Sequence, residues 1–348
     1  MNELAITATN CITAVGHDGR MTAAAVRAGV SRMFKCEEYL DGDGKPITVA
    51  QIRGIEDDRL DDIAPRMTNI AVTCLKSLLN EYFQNSKHRP SEIHLILCMP
   101  SAERPGPNYE ANSSYPLQMV LDKWTAKSVR QTIYRGNSSM QYAVARAGEL
   151  IESNPSALCI IGGIDSLLRE SILNWFEQAG RLKSESYGRQ QGLIAGEAVG
   201  FMVVESPAQA QQANRPVLAR ITGLGLADEP NTRASNSPSR NSGLTEACHA
   251  AMKNIQDKDI SAVFGDLNGE NSRAMEWSMA DMRCFKERHA QRKLWNPANC
   301  YGDIGAASGT VMANIVTQGF VRGWLQSPVL MFCSDDHGSC GALVLEKG

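Results

Sequence analysis

The sequence predicts an α/β protein built from two duplicated halves, and three observations support this. Short apolar runs of strand length alternate with segments whose apolar residues recur at helical spacing along the 348 residues. The same order of elements occurs twice: strand, helix, strand, helix, strand, helix and a closing strand pair. A polar, Gln- and Ala-rich stretch at 208–216 separates the two copies and is the best linker candidate. We therefore predict halves at 1–207 and 208–348, with the functional site where their turns meet.

The composition excludes several classes of protein. The chain is 43% hydrophobic and 21% charged with a formal net charge of −3, and it has no Lys/Arg block, so it gives no reason to expect a nucleic-acid partner. No apolar run reaches the length of a membrane span, and the first residues lack the features of a secretory signal. None of the ten cysteines forms a C-x-x-C pair, which predicts reduced thiols used as small hydrophobes rather than a zinc site. These features predict a cytoplasmic protein without a membrane segment.

The elements of the first half follow from apolar spacing and from turn residues. Residues 36–62 are acidic and Gly-rich and predict an irregular surface excursion, in which Glu56-Asp57-Asp58 is a solvated face rather than a metal site. The other predicted elements, in order, are a strand at 4–12, a helix at 20–30, a helix at 68–83, a strand at 93–98, a loop at 100–116, a helix opening at 117–121 and a strand at 128–134.

A polar turn, Gly136-Asn137-Ser138-Ser139, separates the last of these strands from the next helix. We expect the two serines to cap the backbone N–H groups at the start of that helix. The helix buries one face and ends at 154–155, and the apolar run at 158–163 is typical of a strand covered on both faces. A polar turn at the positive end of a helix, backed by a buried strand, favours chemistry on a thioester or carboxylate.

The rest of the chain repeats this pattern after a strand at 197–205 closes the first half. The predicted elements of the second half are a strand at 217–226, a helix at 243–255, a strand at 262–264 running into a turn at 265–269, a helix at 274–284, a Gly-rich turn at 301–309 leading into a helix to about 320, and strands at 329–333 and 342–346.

Five segments in the correct order resemble the β-ketoacyl-acyl-carrier-protein synthases, condensing enzymes of the thiolase superfamily. They are LAITATNCITAVGHDGRMTAAAVRAG near the start, the helix and strand at 137–163, SYGRQQGLIAGEAVGFMVVE with matches at Arg189, Gly192, Gly196 and Glu197, NCYGDIGAASG, and HGSCGALVLE. The resemblance covers nearly the whole chain. It implies a thiolase-like fold, in which two duplicated halves with mixed five-stranded sheets form αβαβα layers.

The resemblance also implies that the family's chemistry has been lost. Condensing enzymes place a cysteine at the helix N-terminus to carry the acyl group, and two histidines to stabilise the enolate. Asn137 falls on the cysteine position, and Asp266 and Asp303 fall on the histidine positions. Asparagine offers no nucleophile, and two aspartates would repel the developing negative charge. A decarboxylative condensation through these positions is therefore not expected.

Alternatives remain for relocated chemistry. A nucleophile could be Ser138, or Cys340 with His337 as its base. The carboxylates of Asp266, Asp303, Asp335 and Asp336 could instead converge with His337 and form an acid–base pair or bind a hard cation. Arg135 could pair with one of these carboxylates and fill the cavity that the resemblance implies for the acyl chain. We assign no cofactor and no metal, and we expect the cleft to be lined by Arg135, Ser139, Ser334, Asp335 and Asp336.

Two hypotheses about function follow. In the first, the protein is a non-condensing accessory, scaffold or partner-binding subunit with a chain-length-factor-like or effector-loading role. In the second, it is an acyltransferase or thioesterase acting on acyl thioesters through a relocated nucleophile. Ligand sensing by the vestigial acyl cavity is a third possibility. The resemblance further implies a homodimer, or a heterodimer with a related synthase subunit, through about Ser128–Tyr134. A protein client or an acyl-carrier protein is a further expected partner.

Overall fold

A computed structural model describes residues 2–55, 63–84, 90, 92–105, 110–125, 127–184, 191–232, 239–256, 259–285 and 292–348. The predicted acidic run Glu56-Asp57-Asp58 and the matched Arg189 lie outside these ranges. Within them, no helix combines the length and the apolar character that crossing a membrane requires.

The described residues form twelve strands and ten helices. The first half contains β1 (Leu4–Thr13), α1 (Gly19–Ala28), β2 (Phe34–Leu40), β3 (Pro46–Ala50), α2 (Ile63–Phe83), β4 (Glu92–Met99), α3 (Glu110–Leu121), β5 (Lys127–Tyr134), α4 (Ser139–Ser153), β6 (Leu158–Ser166), α5 (Glu170–Gln178) and β7 (Ala195–Glu205). The rest of the chain contains α6 (Pro207–Gln212), β8 (Ala219–Asp228), α7 (Gly243–Ala251), β9 (Ala262–Gly265), α8 (Asn271–Cys284), β10 (Lys293–Trp295), α9 (Ala298–Tyr301), α10 (Ser308–Val321), β11 (Val329–Ser334) and β12 (Ser339–Lys347).

The two halves have the same sheet topology. The first sheet has the order β5-β4-β6-β7-β1, in which β5, β4 and β6 are parallel and the pairs β6/β7 and β7/β1 are antiparallel. The second has the order β10-β9-β11-β12-β8 with the same directions. An antiparallel contact between β1 and β8, with Leu4 opposite Ile221, joins the sheets. The predicted duplication is therefore confirmed strand by strand.

Three hydrophobic clusters define five layers. Apolar residues of α2, α3 and α5 pack on the outer face of the first sheet. Residues of α4 and α10, such as Met140 and Val311, pack between the two sheets. Residues of α7 and α8, such as Ala247 and Trp277, pack on the outer face of the second sheet. This is the predicted αβαβα arrangement.

The predicted irregular excursion at 36–62 is wrong over its first part. β2 and β3 form an antiparallel hairpin there, and β3 adds to β7 by parallel pairing of Val49 with Ala195. The DGDGK segment is the hairpin turn, because the Asp41 carboxylate accepts the N–H groups of Asp43 and Lys45. Exposed charged residues hid the strand pattern of β2, since Cys36 is its one buried residue and the neighbouring Lys35 and Glu37 are exposed.

Two further predictions of local structure are corrected, and one strand, β10, was not predicted. The predicted loop at 100–116 gives way at Glu110 to α3, which contains Pro116 although proline usually ends a helix. The predicted linker begins with the short helix α6, and the Ser206 hydroxyl caps it by accepting the N–H of Gln209 at 3.1 Å. β10 has only three residues, too few to give a periodic signal. The boundary between residues 207 and 208 stays a prediction.

Candidate functional site

Two structurally equivalent turns, one from each half, meet between the halves. Gly136–Ser138 forms a 3-10 turn that leads into α4, and Gly305–Ala307 forms a 3-10 turn that leads into α10. Both glycines have φ = 52°, a left-handed conformation that glycine adopts without strain. The two turns lie against each other, with buried β6 beside the second of them.

Each turn receives a carboxylate from the opposite half. Asp165, at the end of β6, accepts the N–H of Ala306 at 2.8 Å and lies against Gly305. Asp335, between β11 and β12, lies against Gly136 so closely that a Cβ atom on that glycine would overlap its carboxylate. The positive ends of both inner helices thus face an acidic side chain of the protein itself.

The two serines of the first turn do not cap α4 as predicted. The Ser138 hydroxyl donates to the carbonyl of Arg135 at 2.9 Å and lies 2.8 Å from the Ser339 hydroxyl. The Ser139 hydroxyl accepts the N–H of Arg135 at 2.9 Å and lies 3.1 Å from the carbonyl of Met99. Both side chains therefore fix the corner between β5 and the turn.

A small cavity lies beside the turns. It brings together five of the predicted residues, which are Asn137, Asp303, Asp335, Asp336 and His337. Its volume is about 30 Å³, enough for one or two water molecules. Asn137 is 8% exposed, and its Nδ2 atom has no hydrogen-bond partner among the described residues.

Other predicted residues lie away from the cavity. Arg135, predicted to line the cleft, has a half-exposed side chain that lies 3.6 Å from Asp228. The Ser334 hydroxyl donates to Glu276 at 2.6 Å, behind the cavity. Ser139 is buried in the corner described above. Asp266 is also buried near the cavity without being part of its lining.

Three arginines that the sequence did not suggest neutralise the site. Arg104 donates two hydrogen bonds to Asp165, at 2.7 and 2.6 Å. Arg181 donates two to Glu270, at 2.8 and 2.9 Å, and one to Asp336 at 2.6 Å. Such two-pronged guanidinium–carboxylate pairs are strong and geometrically specific. The charged side chains of this region therefore pair mainly with one another.

Arg273, the third of these arginines, links the remaining carboxylates. It is buried, lies 3.5 Å from Asp266 and 3.4 Å from Asp336, and donates to the hydroxyl and carbonyl oxygens of Ser334. Asp266 also accepts the N–H of Ser334 at 3.1 Å, whereas its second oxygen has no partner among the described residues. Burial raises the pKa of Asp266 to about 7, although Arg273 opposes this rise.

Asp303 serves the second turn. One carboxylate oxygen accepts the N–H of Gly305 at 2.9 Å, and the other accepts the side-chain amide of Asn268 at 2.8 Å. Asn268 donates also to Glu270 at 2.8 Å and so connects Asp303 to the arginine pairs. Asp303 therefore caps the second turn and accepts a hydrogen bond from Asn268.

The predicted pair of Cys340 and His337 has separate partners. His337 Nδ1 lies 3.0 Å from the Asp335 carboxylate, and this hydrogen bond raises the pKa of the imidazole. Cys340 is fully buried with Sγ 3.8 Å from Glu276, and burial raises the pKa of its thiol well above the usual value. Among the described residues, no cluster of three His, Cys, Asp or Glu side chains has the geometry to hold a metal ion.

Several solved structures share this architecture. No family model matches the sequence, and a search of the curated proteins gave no match. Among solved structures, a β-ketoacyl synthase from Burkholderia phymatum STM815 superposes with a TM-score of 0.79 at 15% identity, covering 100% of both chains. A ketosynthase in complex with its chain length factor from Xenorhabdus doucetiae gives 0.74 at 16% identity, covering 99% of this chain and 98% of that one. A type II PKS acyl-carrier protein in complex with its ketosynthase gives 0.80 at 12% identity and 99% coverage of both chains.

These similarities define the class of fold. The chain has the thiolase-like fold of the β-ketoacyl synthases and chain length factors, as the sequence resemblance implied. At identities this low the comparisons establish the fold alone, so activity and partners are argued from the site itself.

Proposed function

We propose that the protein is a catalytically degenerate β-ketoacyl synthase-like subunit that binds partners instead of condensing acyl groups. It would act as an accessory or scaffold subunit in a chain-length-factor-like or effector-loading role. The observation that carries this proposal is the occupation of the α4 N-terminus by the protein's own groups. The sequence resemblance places Asn137 in the position of the nucleophile, and the Asp335 carboxylate lies against Gly136.

The electrostatics of the site oppose a condensation. An enolate and a tetrahedral intermediate both develop negative charge, which the site must stabilise with preorganised donors. Asp266 and Asp303 stand where the resemblance places the two histidines, and each oxygen of the Asp303 carboxylate already accepts a hydrogen bond. Asp335 would in addition repel an oxyanion at the turn. These carboxylates support a role other than enolate chemistry.

The size of the cavity at the turns supports the proposal, because a volume of about 30 Å³ does not admit an acyl chain beside Asn137. A wider cleft of about 610 Å³ adjoins this cavity and shares Trp175, Arg181, Asp336 and His337 with it. Two arginines that line the cavity, Arg181 and Arg273, are held by the partly buried Asp336 at 2.6 and 3.4 Å, so they fix this wall of the cavity.

The second candidate, an acyltransferase or thioesterase with a relocated nucleophile, receives little support from geometry. The Ser138 hydroxyl donates to a carbonyl, and no histidine is among its partners in the described chain. Cys340 combines a raised pKa with a carboxylate neighbour, and both disfavour the thiolate. This candidate is therefore treated as an outcome of the test below.

The partner-binding half of the proposal rests on the edge strand β5. It lies at one end of the strand order, where a further strand can add to the sheet. We propose that β5 pairs across a two-fold axis with an identical chain or with a related synthase subunit. The ketosynthase–chain length factor and ketosynthase–acyl-carrier protein complexes among the structural relatives are consistent with such partners, and with an acyl-carrier protein as client.

Intact-mass spectrometry tests the loss of acyl transfer. The protein is incubated with acyl-CoA and with acyl-loaded carrier protein, beside an active synthase as positive control. We expect no stable adduct and no thioester turnover. Turnover that disappears in Cys340→Ala or Ser138→Ala would overturn the proposal in favour of the second candidate.

Sedimentation tests the pairing through β5. The Val129→Asp variant places a charge in β5, and Leu294→Asp places one in β10, the edge strand at the other end of the sheet. We expect association of the purified chain, or of the chain with a co-purified synthase subunit, to weaken only in the β5 variant. Equal effects of both variants, or none, would contradict β5 as the interface.

A further inference from the structure

Two cysteines on neighbouring helices meet in the outer layer of the second half. Cys248 lies in the second half of α7, and Cys284 is the last residue of α8. Both belong to the hydrophobic cluster on the outer face of the second sheet. Both are free thiols in this structure, so the pair is in its reduced form.

Contacts between α7 and α8 bring the two thiols together. The Cys284 thiol donates to the carbonyl oxygen of Thr245 at 3.6 Å, and Thr245 lies one helical turn before Cys248 on the same face of α7. The residues that follow and precede the pair also meet, since His249 Nε2 lies 3.3 Å from the carbonyl oxygen of Arg283. A hydrogen bond from Cys248 to Cys284 joins the thiols themselves. The two sulfur atoms therefore face each other where the helices touch, as a disulfide requires.

Cys284 has the properties of the thiol that reacts first. The hydrogen bond from Cys248 lowers its pKa, with a further contribution from the charge of Arg283, although burial opposes them. The pKa of each of the other nine cysteines is raised, chiefly by burial or, for Cys248, by its hydrogen bond to Cys284. The thiolate is the form of cysteine that oxidants attack. Cys284 is 6% exposed, at the end of its helix, so a small oxidant can reach it.

We propose that Cys248 and Cys284 are a redox-sensitive pair, which hydrogen peroxide converts into a disulfide between α7 and α8. In the first step the Cys284 thiolate attacks the peroxide, a sulfur–oxygen bond forms as the O–O bond breaks, and hydroxide leaves and becomes water. Cys248 then loses its proton and attacks the sulfur of the Cys284 sulfenic acid, whose oxygen leaves as a second water. The two sulfurs lose two electrons in all, and the peroxide accepts them.

The disulfide would tie the C-terminal end of α8 to α7. The other end of α8 carries Arg273, which contacts Asp266 and Asp336. The pair shares no residue with the lining of the cavity at the turns or with β5. The inference is therefore independent of the proposed function, and acyl turnover or a failure of pairing through β5 would leave it unchanged.

Peptide mapping by mass spectrometry tests the proposal. The reduced and folded full-length chain is treated with hydrogen peroxide, the remaining thiols are alkylated in denaturant, and the protein is digested with trypsin. Cleavage after lysine and arginine leaves Cys248 as the one cysteine of peptide 241–253 and Cys284 as the one cysteine of peptide 284–286. We expect these two peptides to be joined with the loss of two hydrogens, and to separate on treatment with dithiothreitol.

Cys300 provides a matched control. It is 5% exposed, close to the value for Cys284, but burial raises the pKa of its thiol. Cys284→Ala should abolish the joined peptides, whereas Cys300→Ala should leave their yield unchanged, and circular dichroism checks that both variants fold.

The natural chain alone can also overturn the proposal, without any variant. The contradicting results are the absence of joined peptides at millimolar peroxide, a different pairing such as Cys248 with Cys340, and oxidation of Cys284 without a disulfide. A disulfide that forms as fast in urea as in the folded chain would contradict it too, because the folded contact between α7 and α8 is what brings the thiols together.

Discussion

Replacing Asp266 with asparagine tests the electrostatics of the site most directly. Asp266 is 6% exposed, and one of its oxygens has no partner among the described residues. Burial raises its pKa from 3.8 to about 7, so the charged form is disfavoured in the folded protein. Asparagine has nearly the shape of the protonated acid and cannot ionise. The substitution therefore removes the cost of the charge while preserving the packing.

The sign and the size of the effect follow from proton linkage. The folded state keeps the proton up to about pH 7, whereas the unfolded chain releases it near the ordinary value of 3.8. The contribution to stability is therefore fully present below pH 3.8 and is lost as the pH rises to about 7. At about 1.4 kcal/mol for each unit, the shift corresponds to roughly 4 kcal/mol. The attraction between Arg273 and the ionised carboxylate is already part of this pKa, so its loss in the variant follows the same titration.

The measurement is the free energy of unfolding by urea from about pH 5 to pH 8.5. The stability of Asp266→Asn relative to the natural protein should rise by about 1.4 kcal/mol per pH unit up to about pH 7 and then level off. Asp228→Asn, at an exposed pair with Arg135, removes a carboxylate at the surface as a control. A difference between Asp266→Asn and the natural protein that stays constant over this pH range would refute the reasoning.

Two further substitutions test the packing of charges and of the turn. Arg273→Met should lower the free energy of unfolding by about 3–5 kcal/mol, because it removes the buried cation beside the buried Asp266 and the partly buried Asp336. Arg20→Met, at the exposed pair with Glu81, should cost less than about 1 kcal/mol. Similar values for the two variants in urea titrations would contradict the buried network. Gly136→Ala should cost more than Gly323→Ala, since both glycines have a positive φ but only Gly136 has Asp335 against it, and Gly323 has open space. The alanine at 323 should cost about 1 kcal/mol from its backbone alone. Equal thermal shifts would show that Asp335 is not fixed on the turn.

Much of the fold could be predicted because its inner elements carry strong local patterns. The strand β6 is buried along its whole length and is an apolar run in the sequence, and α4 repeats its apolar residues at helical spacing. β2 and α3 could not be predicted in the same way. Charged residues on the exposed face of β2 and a proline inside α3 contradict the local rules, and tertiary packing decides both cases.

The site divides in a similar way. The resemblance pointed to Asn137, Asp303 and Asp335, which line one cavity, because they occupy fixed positions in motifs. The arginines that neutralise the neighbouring carboxylates Asp165, Glu270, Asp266 and Asp336 come from positions 104, 181 and 273 in three separate segments, so no spacing in the sequence joins them. The pairing of Arg135 with Asp228 at the surface could not be predicted for the same reason.

Each of the two equivalent turns contacts an aspartate from the other half, which has a consequence for the origin of the chain. Asp165 of the first half completes the turn at Gly305, and Asp335 of the second half lies on the turn at Gly136. Two identical half-length chains related by a two-fold axis would satisfy both turns at once. The present molecule therefore has the construction of an ancient dimer fused into one polypeptide, in which neither half retains a complete helix terminus when the other is taken away.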